Sequence, residues 1–332
     1  MTILCSISTR GRYDTTLPLV IQSVLMQTKL PDKLIIFDDN EQPKDMRENQ
    51  VYQYFFMMLD LKGVQWEWAF AEKKGQHYNH DKANKMGFDW VWRLDDDTLA
   101  EPNVLEELYK HATAYDVGMW KNVGAVGGAI LTPPFQRNLK ATGFIEEIYD
   151  EPNLQWDYIT AVREVDHLHC SFLYKAGVHD YDLGLSRIAH REETMFTYGL
   201  KQKGYSLLLV PVVTWHLKNK VGGIRDGQRE LFEHDEELFR KQVKLKDSTI
   251  VVLDNGLGDH IVFKYVLRDI KNPLVFSCYN DVVPGQSIQA AKDLLGSIDR
   301  FNIYQKMDEW KWKGSLEDAF RKLYNAPRKL EA

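Results

Sequence analysis

Three short apolar runs end in hydroxyls or acids: "TILCSISTR" at 2–10, "KLIIFDDN" at 33–40 and "DWVWRLDDDT" at 89–98. Runs of this length, rich in β-branched and aromatic residues, predict buried strands. Between the first two, "LPLVIQSVLMQ" places Leu17, Ile21 and Leu25 at helical spacing. Between the second and third, "VQWEWAFAE" alternates as a strand, and a helix is expected over "NHDKANKMGF". Alternating strand and helix implies a mostly parallel sheet, whose ligands gather beyond the carboxyl ends of the strands. Asp38, Asp39, Asp95, Asp96 and Asp97 all fall at such ends, so acids far apart in sequence are expected to meet at one edge.

Further on, "VGAVGGAIL" and "HLHCSFLYKAG" read as strands or loops of the same domain, before a helix over "HREETMFTYGLKQKGY" and a strand over "SLLLVPVVTWHL". The expected boundaries are a first α/β domain over 1–224, a linker helix over 225–246 and a small α/β domain over 247–332. The linker stretch is amphipathic, with Leu231, Leu238 and Phe239 on one side. The last unit opens as strand, glycine turn, helix and strand. In its turn, "NGLGDH" at 255–260, glycine permits a tight bend. Asp259 reads there as a helix cap, and Trp310 and Trp312 as buried rings or a stacking platform.

The net charge of -6 gives no global attraction to phosphate backbones, leaving nucleic acid open as a partner only through a local basic groove. No apolar run approaches the roughly 18 residues that span a bilayer, and "MTILCSIST" reads as a first strand instead of a signal peptide, so the cytoplasm is the expected location. Cys5, Cys170 and Cys278 form no close pair, which supports neither a disulfide framework nor a zinc knuckle.

A hard divalent cation takes oxygen ligands, and Mg2+ or Mn2+ commonly uses one or two carboxylates together with water and a substrate diphosphate. In an extended segment Asp95 and Asp97 share a side and Asp96 points away, so the triplet offers two usable groups. A solvated acidic turn is the bland alternative for so short a signal. Thr9 closing a turn, Asp39 capping a helix and His216 packing beside Trp215 are the equivalents elsewhere. His77, His80, His167, His169, His179 and His190 read as surface, core or acceptor-side residues.

The order of these pieces resembles family 2 glycosyltransferases, inverting nucleotide-sugar enzymes with a GT-A fold, over about the first 220 residues. The resemblance implies a GT-A nucleotide-sugar-binding domain in which Thr9, Arg10, Asp39, Lys82, Asn84, Asp95 and Asp96 bind the donor, expected to be a UDP-sugar. It also implies Mn2+ or Mg2+ on Asp97 and His216, with Asp95 beside them, and a catalytic base at Glu193 or its neighbour Glu192, where the family commonly has aspartate. Residues from Ile250 to about Asp281 resemble the amino-terminal segment of heptosyltransferase-like GT-B enzymes. That second resemblance implies a Rossmann-like accessory or acceptor-docking domain. The acceptor would be a hydroxyl of a glycan or other molecule. Nucleotidyl transfer also calls for paired aspartates and a divalent ion, and a non-catalytic sugar-binding protein is the third reading.

Overall fold

The computed structural model of the chain describes residues 1–114, 122–133, 143, 145, 159, 161–218 and 228–243, together with strands over 249–253, 273–279, 301–305 and 330–331. These fall into two units, the first comprising Met1–Leu139 and Gln155–Val243 and the second Lys140–Leu154 and Lys244–Ala332. The expected turn at 255–260, Asp259, Trp310 and Trp312 lie outside the described residues, as does most of the stretch 134–158.

Strands of the first unit are β1 (Ile3–Thr9), β2 (Lys33–Asp38), β3 (Gln65–Phe70), β4 (Trp90–Asp95), β5 (Thr98–Ala100), β6 (Val123–Leu131), β7 (Arg163–Val165), β8 (Ser171–Lys175) and β9 (Ser206–His216). Its helices are α1 (Leu17–Leu25), α2 (Gln50–Leu61), α3 (Gln76–Asn84), α4 (Val104–Thr113), α5 (Glu192–Gln202) and α6 (Arg229–Gln242). The sheet order is β3-β2-β1-β4-β8-β6-β9-β5, with β7 also on β9. From β3 to β4 all pairings are parallel, as the alternation predicts. Beyond β4 the sheet is mixed, because β8 runs antiparallel to both β4 and β6.

The period-two alternation of β1 and β4 decides which face holds what. Ile3, Cys5 and Ile7 join Trp90, Trp92 and Leu94 in the main core, closed by the apolar faces of α1, α2 and α4. Leu17, Ile21 and Leu25, spaced for a helix, are all buried in it. The opposite face is polar near the strand ends. Ser6 meets His80 at 3.3 Å and Ser8 accepts from Asn79 at 2.8 Å, both partners coming from α3. That helix starts three residues earlier than expected, because Gly75 turns the chain in with φ of 104°, and a Cβ there would lie 2.5 Å from the Arg187 carbonyl oxygen.

The segment expected to link two domains forms α6 within the first unit. Phe239 is buried and Leu231 and Leu238 are half-buried. Asp235, also buried, accepts from the Ser186 amide (2.6 Å), the Ser186 hydroxyl (2.8 Å) and the His190 amide (2.9 Å). It thereby holds the loop in which Ala189 and Arg191 adopt positive φ just before α5. In the second unit, β10 (Thr249–Leu253), β11 (Pro273–Tyr279), β12 (Phe301–Gln305) and β13 (Leu330–Glu331) form a parallel sheet in the order β12-β11-β10-β13.

Where β6 meets β9 the register shifts between Gly127 and Ala129, opposite Pro211 and Val212. Pro211 has no amide to donate, so an irregularity is expected there. A Cβ on Gly128 would lie 2.6 Å from the Val212 carbonyl oxygen, a backbone atom with little room to move. Gly128→Ala is expected to lower unfolding free energy by about 1–3 kcal/mol, read as a lower urea midpoint.

Candidate functional site

The acidic triplet at the tip of β4 is divided by strand geometry. Asp96, buried, turns to the loop after β1. Its Oδ2 accepts from the Thr9 hydroxyl (2.8 Å) and the Arg10 amide (3.0 Å), and its Oδ1 pairs with the Arg12 guanidinium. Arg12 also reaches Asp97 Oδ2 at 3.0 Å. Burial lifts Asp96 to about 6, against the pull of Arg12. The Arg10 side chain points elsewhere, to Glu41 at 2.7 Å and the Asp39 carbonyl at 3.4 Å. Asp39 is buried at the end of β2, where burial raises its pKa and Asn79 and Arg10 oppose the shift. Its neighbour Asp38 is committed to structure, accepting from Tyr13, Asn40 and Lys44.

On the other side of the same tip, Asp95 belongs to a buried cluster built around Arg93. Arg93 lies two residues earlier on the same face of β4 and is fully buried. Its guanidinium is 2.6 Å from Asp95 Oδ1, 2.7 Å from Glu192 Oε1 and 3.7 Å from Glu193 Oε2. Burial works against this charge, yet Glu192, Asp95 and Glu193 hold its pKa well above the ordinary value. Glu192 also accepts from Gln76 Nε2 at 2.9 Å, and its side chain is enclosed. Glu193, the next residue, keeps 13% of its side chain exposed. The two candidate bases are therefore distinguished: Glu192 is enclosed in the interior and Glu193 retains partial contact with solvent.

The short strand β5 pairs antiparallel with the end of β9, setting Thr98 opposite His216, and the Leu217 amide donates to the Asp97 carbonyl at 2.9 Å. This return brings His216 Nε2 to 3.5 Å from Asp97 Oδ2. Its other nitrogen, Nδ1, lies 3.9 Å from Cys170 Sγ. Cys170 Sγ, an Asp95 oxygen and a Glu193 oxygen lie within 4.8 Å of one another.

Thr9, the Arg10 backbone, Asp39, Asp95, Asp96, Asp97, Glu192, Glu193 and His216 thus gather at one end of the sheet. Lys82 and Asn84 do not join them. Lys82 pairs with Glu72 at 2.6 Å on the surface. Asn84 ends α3 at the far edge, bonding the His179 carbonyl and the Gly177 amide beside the start of β4. Arg12, Arg93, Gln76, Asn79 and Cys170 are site residues the motifs did not single out. The one local signal was the charge of Arg93 inside an apolar strand.

No protein-family model and no curated protein sequence matches the chain. Among solved structures it is similar to a crystal structure of GalNAc-T7 with UDP, GalNAc and Mn2+, at 14% identity and a TM-score of 0.50, over 68% of this chain and 44% of that one. It is also similar to a crystal structure of S. aureus TarS, at 11% identity and a TM-score of 0.49, over 80% and 43%. The chain spans less than half the length of either structure. At such identity the first likeness speaks to fold: the first unit has the α/β architecture of GT-A domains.

Two outcomes follow from the buried charges. Arg93→Met is expected to cost about 3–5 kcal/mol, because Glu192 is left as an uncompensated buried charge. Adding Glu192→Met should recover part of that loss in urea denaturation. Burial lowers His77 to about 4, below the 6.5 of a free imidazole, so its contribution is full above about 6.5 and lost as pH falls toward 4. His77→Gln should flatten the dependence of stability on pH in that window by up to about 1.4 kcal/mol per pH unit.

Proposed function

We propose that the first unit is a metal-dependent, inverting glycosyltransferase that moves a sugar from a nucleotide-sugar donor to an acceptor hydroxyl. The observation that carries this reading is the convergence of Asp39, Asp95, Asp96, Asp97, Glu193 and His216 beyond the carboxyl ends of β1, β2 and β4. Such an edge is where open α/β sheets bind nucleotides. The structure of similar fold contains UDP, GalNAc and Mn2+, which motivates a UDP-sugar as the donor to test first.

The residues present fit a divalent cation: a carboxylate oxygen and an imidazole nitrogen 3.5 Å apart, with Asp95 on the neighbouring turn. Asp97 and His216 would hold Mn2+ or Mg2+, which when bound supplies Lewis-acid stabilisation of the departing diphosphate. Thr9 and the Arg10 amide fix Asp96, shaping the loop that would receive the nucleotide, and Asp39 would meet its base or ribose. Glu193 takes the proton of the acceptor hydroxyl as its oxygen attacks the anomeric carbon. The bond from that carbon to the diphosphate breaks, and its electron pair leaves with the nucleotide. One displacement of this kind inverts the centre. Arg93 and Gln76 hold Glu192, and so orient the first turn of α5 that presents Glu193.

The test is release of UDP from UDP-sugars with Mn2+ present or chelated. Glu193→Gln is expected to lower turnover by about 10²- to 10⁴-fold while leaving UDP-induced thermal stabilisation in place. Asp97→Asn should weaken both turnover and that metal-dependent stabilisation. Release of pyrophosphate from a nucleoside triphosphate would point instead to nucleotidyl transfer. Neither turnover nor nucleotide binding across a panel of sugar nucleotides would end the proposal.

A further inference from the structure

The site contains a donor that a magnesium- or manganese-dependent transfer has no use for. Cys170 is half-buried just before β8, and its sulfur stands with oxygens of Asp95 and Glu193 inside a 4.8 Å triangle. His216 Nδ1 lies 3.9 Å from the sulfur, outside that triangle. Thiolate, imidazole and carboxylate together form the mixed donor set of a zinc-type ion. With bonds of about 2.0–2.3 Å, the ligand atoms of a tetrahedral site stand roughly 3.3–3.8 Å apart. Small side-chain adjustments would close this set onto an ion.

The surroundings suit a cation in two further ways. When Asp97 and His216 hold no ion between them, His216 Nε2 faces Asp97 at 3.5 Å, and a carboxylate on the far nitrogen is the arrangement that orients a metal-ligating imidazole, so the two positions are alternatives. Glu192 is buried alongside and turned toward Glu193, with its Oε1 held by Arg93 and Gln76. Arg93 occupies Oδ1 of Asp95 and balances part of the negative charge, and a doubly charged ion would offset most of the rest.

We propose that Cys170, Asp95 and Glu193 form a second metal position, which Nδ1 of His216 joins by turning from the sulfur onto the ion, selective for thiophilic divalent ions such as Zn2+ or Co2+ over Mg2+. On binding, the Cys170 thiol exchanges its proton for the ion and the proton passes to the buffer. If the transferase reading holds, an ion here withdraws Glu193 from the acceptor, so zinc inhibits the transfer that Mn2+ or Mg2+ supports.

The experiment is a Co2+ titration of the full chain, without nucleotide, followed by absorbance, so its outcome is independent of any transferase activity. A thiolate-to-cobalt charge-transfer band saturating at one equivalent is expected. Because the chain has three cysteines, the double substitution C5S/C278S leaves Cys170 as the sole thiol and should keep the band. Cys170→Ser should abolish it, and Glu193→Gln should weaken Co2+ binding by at least tenfold with the band retained. Absence of the band from the parent chain, or its persistence in Cys170→Ser, overturns the proposal. Should Cys170→Ser fail to fold, loss of the band from a folded C5S/C278S chain overturns it equally.

Discussion

The arrangement of the site rests on a buried arginine held among acids. Arg93 lies inside a strand whose neighbours are apolar, and burying a guanidinium is costly unless charges and hydrogen bonds enclose it. Asp95 comes from the same strand, and Glu192 from the first turn of α5, about a hundred residues later in the chain. The net contribution of such a cluster to stability is small, since each attraction is offset by lost hydration. Its effect is positional. It binds the start of one helix to the tip of one strand, and the partly exposed Glu193 is aimed by its buried neighbour.

The tip of β4 divides its acids between two environments. Asp96 is tied to Thr9, Arg10 and Arg12 on the side of the loop after β1, whereas Asp95 is tied to Arg93 on the α5 side. Asp97, past the strand, reaches both Arg12 and His216. Arg93 beside Asp95 and Arg12 shared by Asp96 and Asp97 offset part of the repulsion among three consecutive carboxylates. The same division separates donor-side residues from the proposed base and gives the two nitrogens of His216 different partners, a carboxylate and a thiol.

Much of this order comes from elements that carry no chemistry. The β5 return places His216 beside Asp97 through backbone pairing alone. The α6 helix, through Asp235, pins the loop of positive-φ residues that delivers the chain into α5. Gly75 performs the equivalent task for α3, whose first turn supplies Gln76 and Asn79.

The parallel half of the sheet and the acids at its edge were legible in the sequence, because short β-branched runs broken by aspartates have few other structures open to them. Thr9, Asp39, Asp95, Asp96 and Asp97 are placed by their own strands, so their neighbourhood follows from local pattern plus the rule that parallel strands share an end. Lys82 and Asn84, expected beside the donor, meet Glu72 and the His179 carbonyl: a helix start depends on where the chain turns, and Gly75 sets α3 so that its first turn supplies Gln76 to Glu192 and Asn79 to Ser8. Arg93, Gln76 and Cys170 could not be read as partners, since their meeting depends on the antiparallel entry of β8 and the docking of α5. Residue order alone settled which groups stand at strand ends; only tertiary packing decided which carboxylate is enclosed, which stays partly exposed and which charge each one meets, because burial and partner distance are properties of the folded chain.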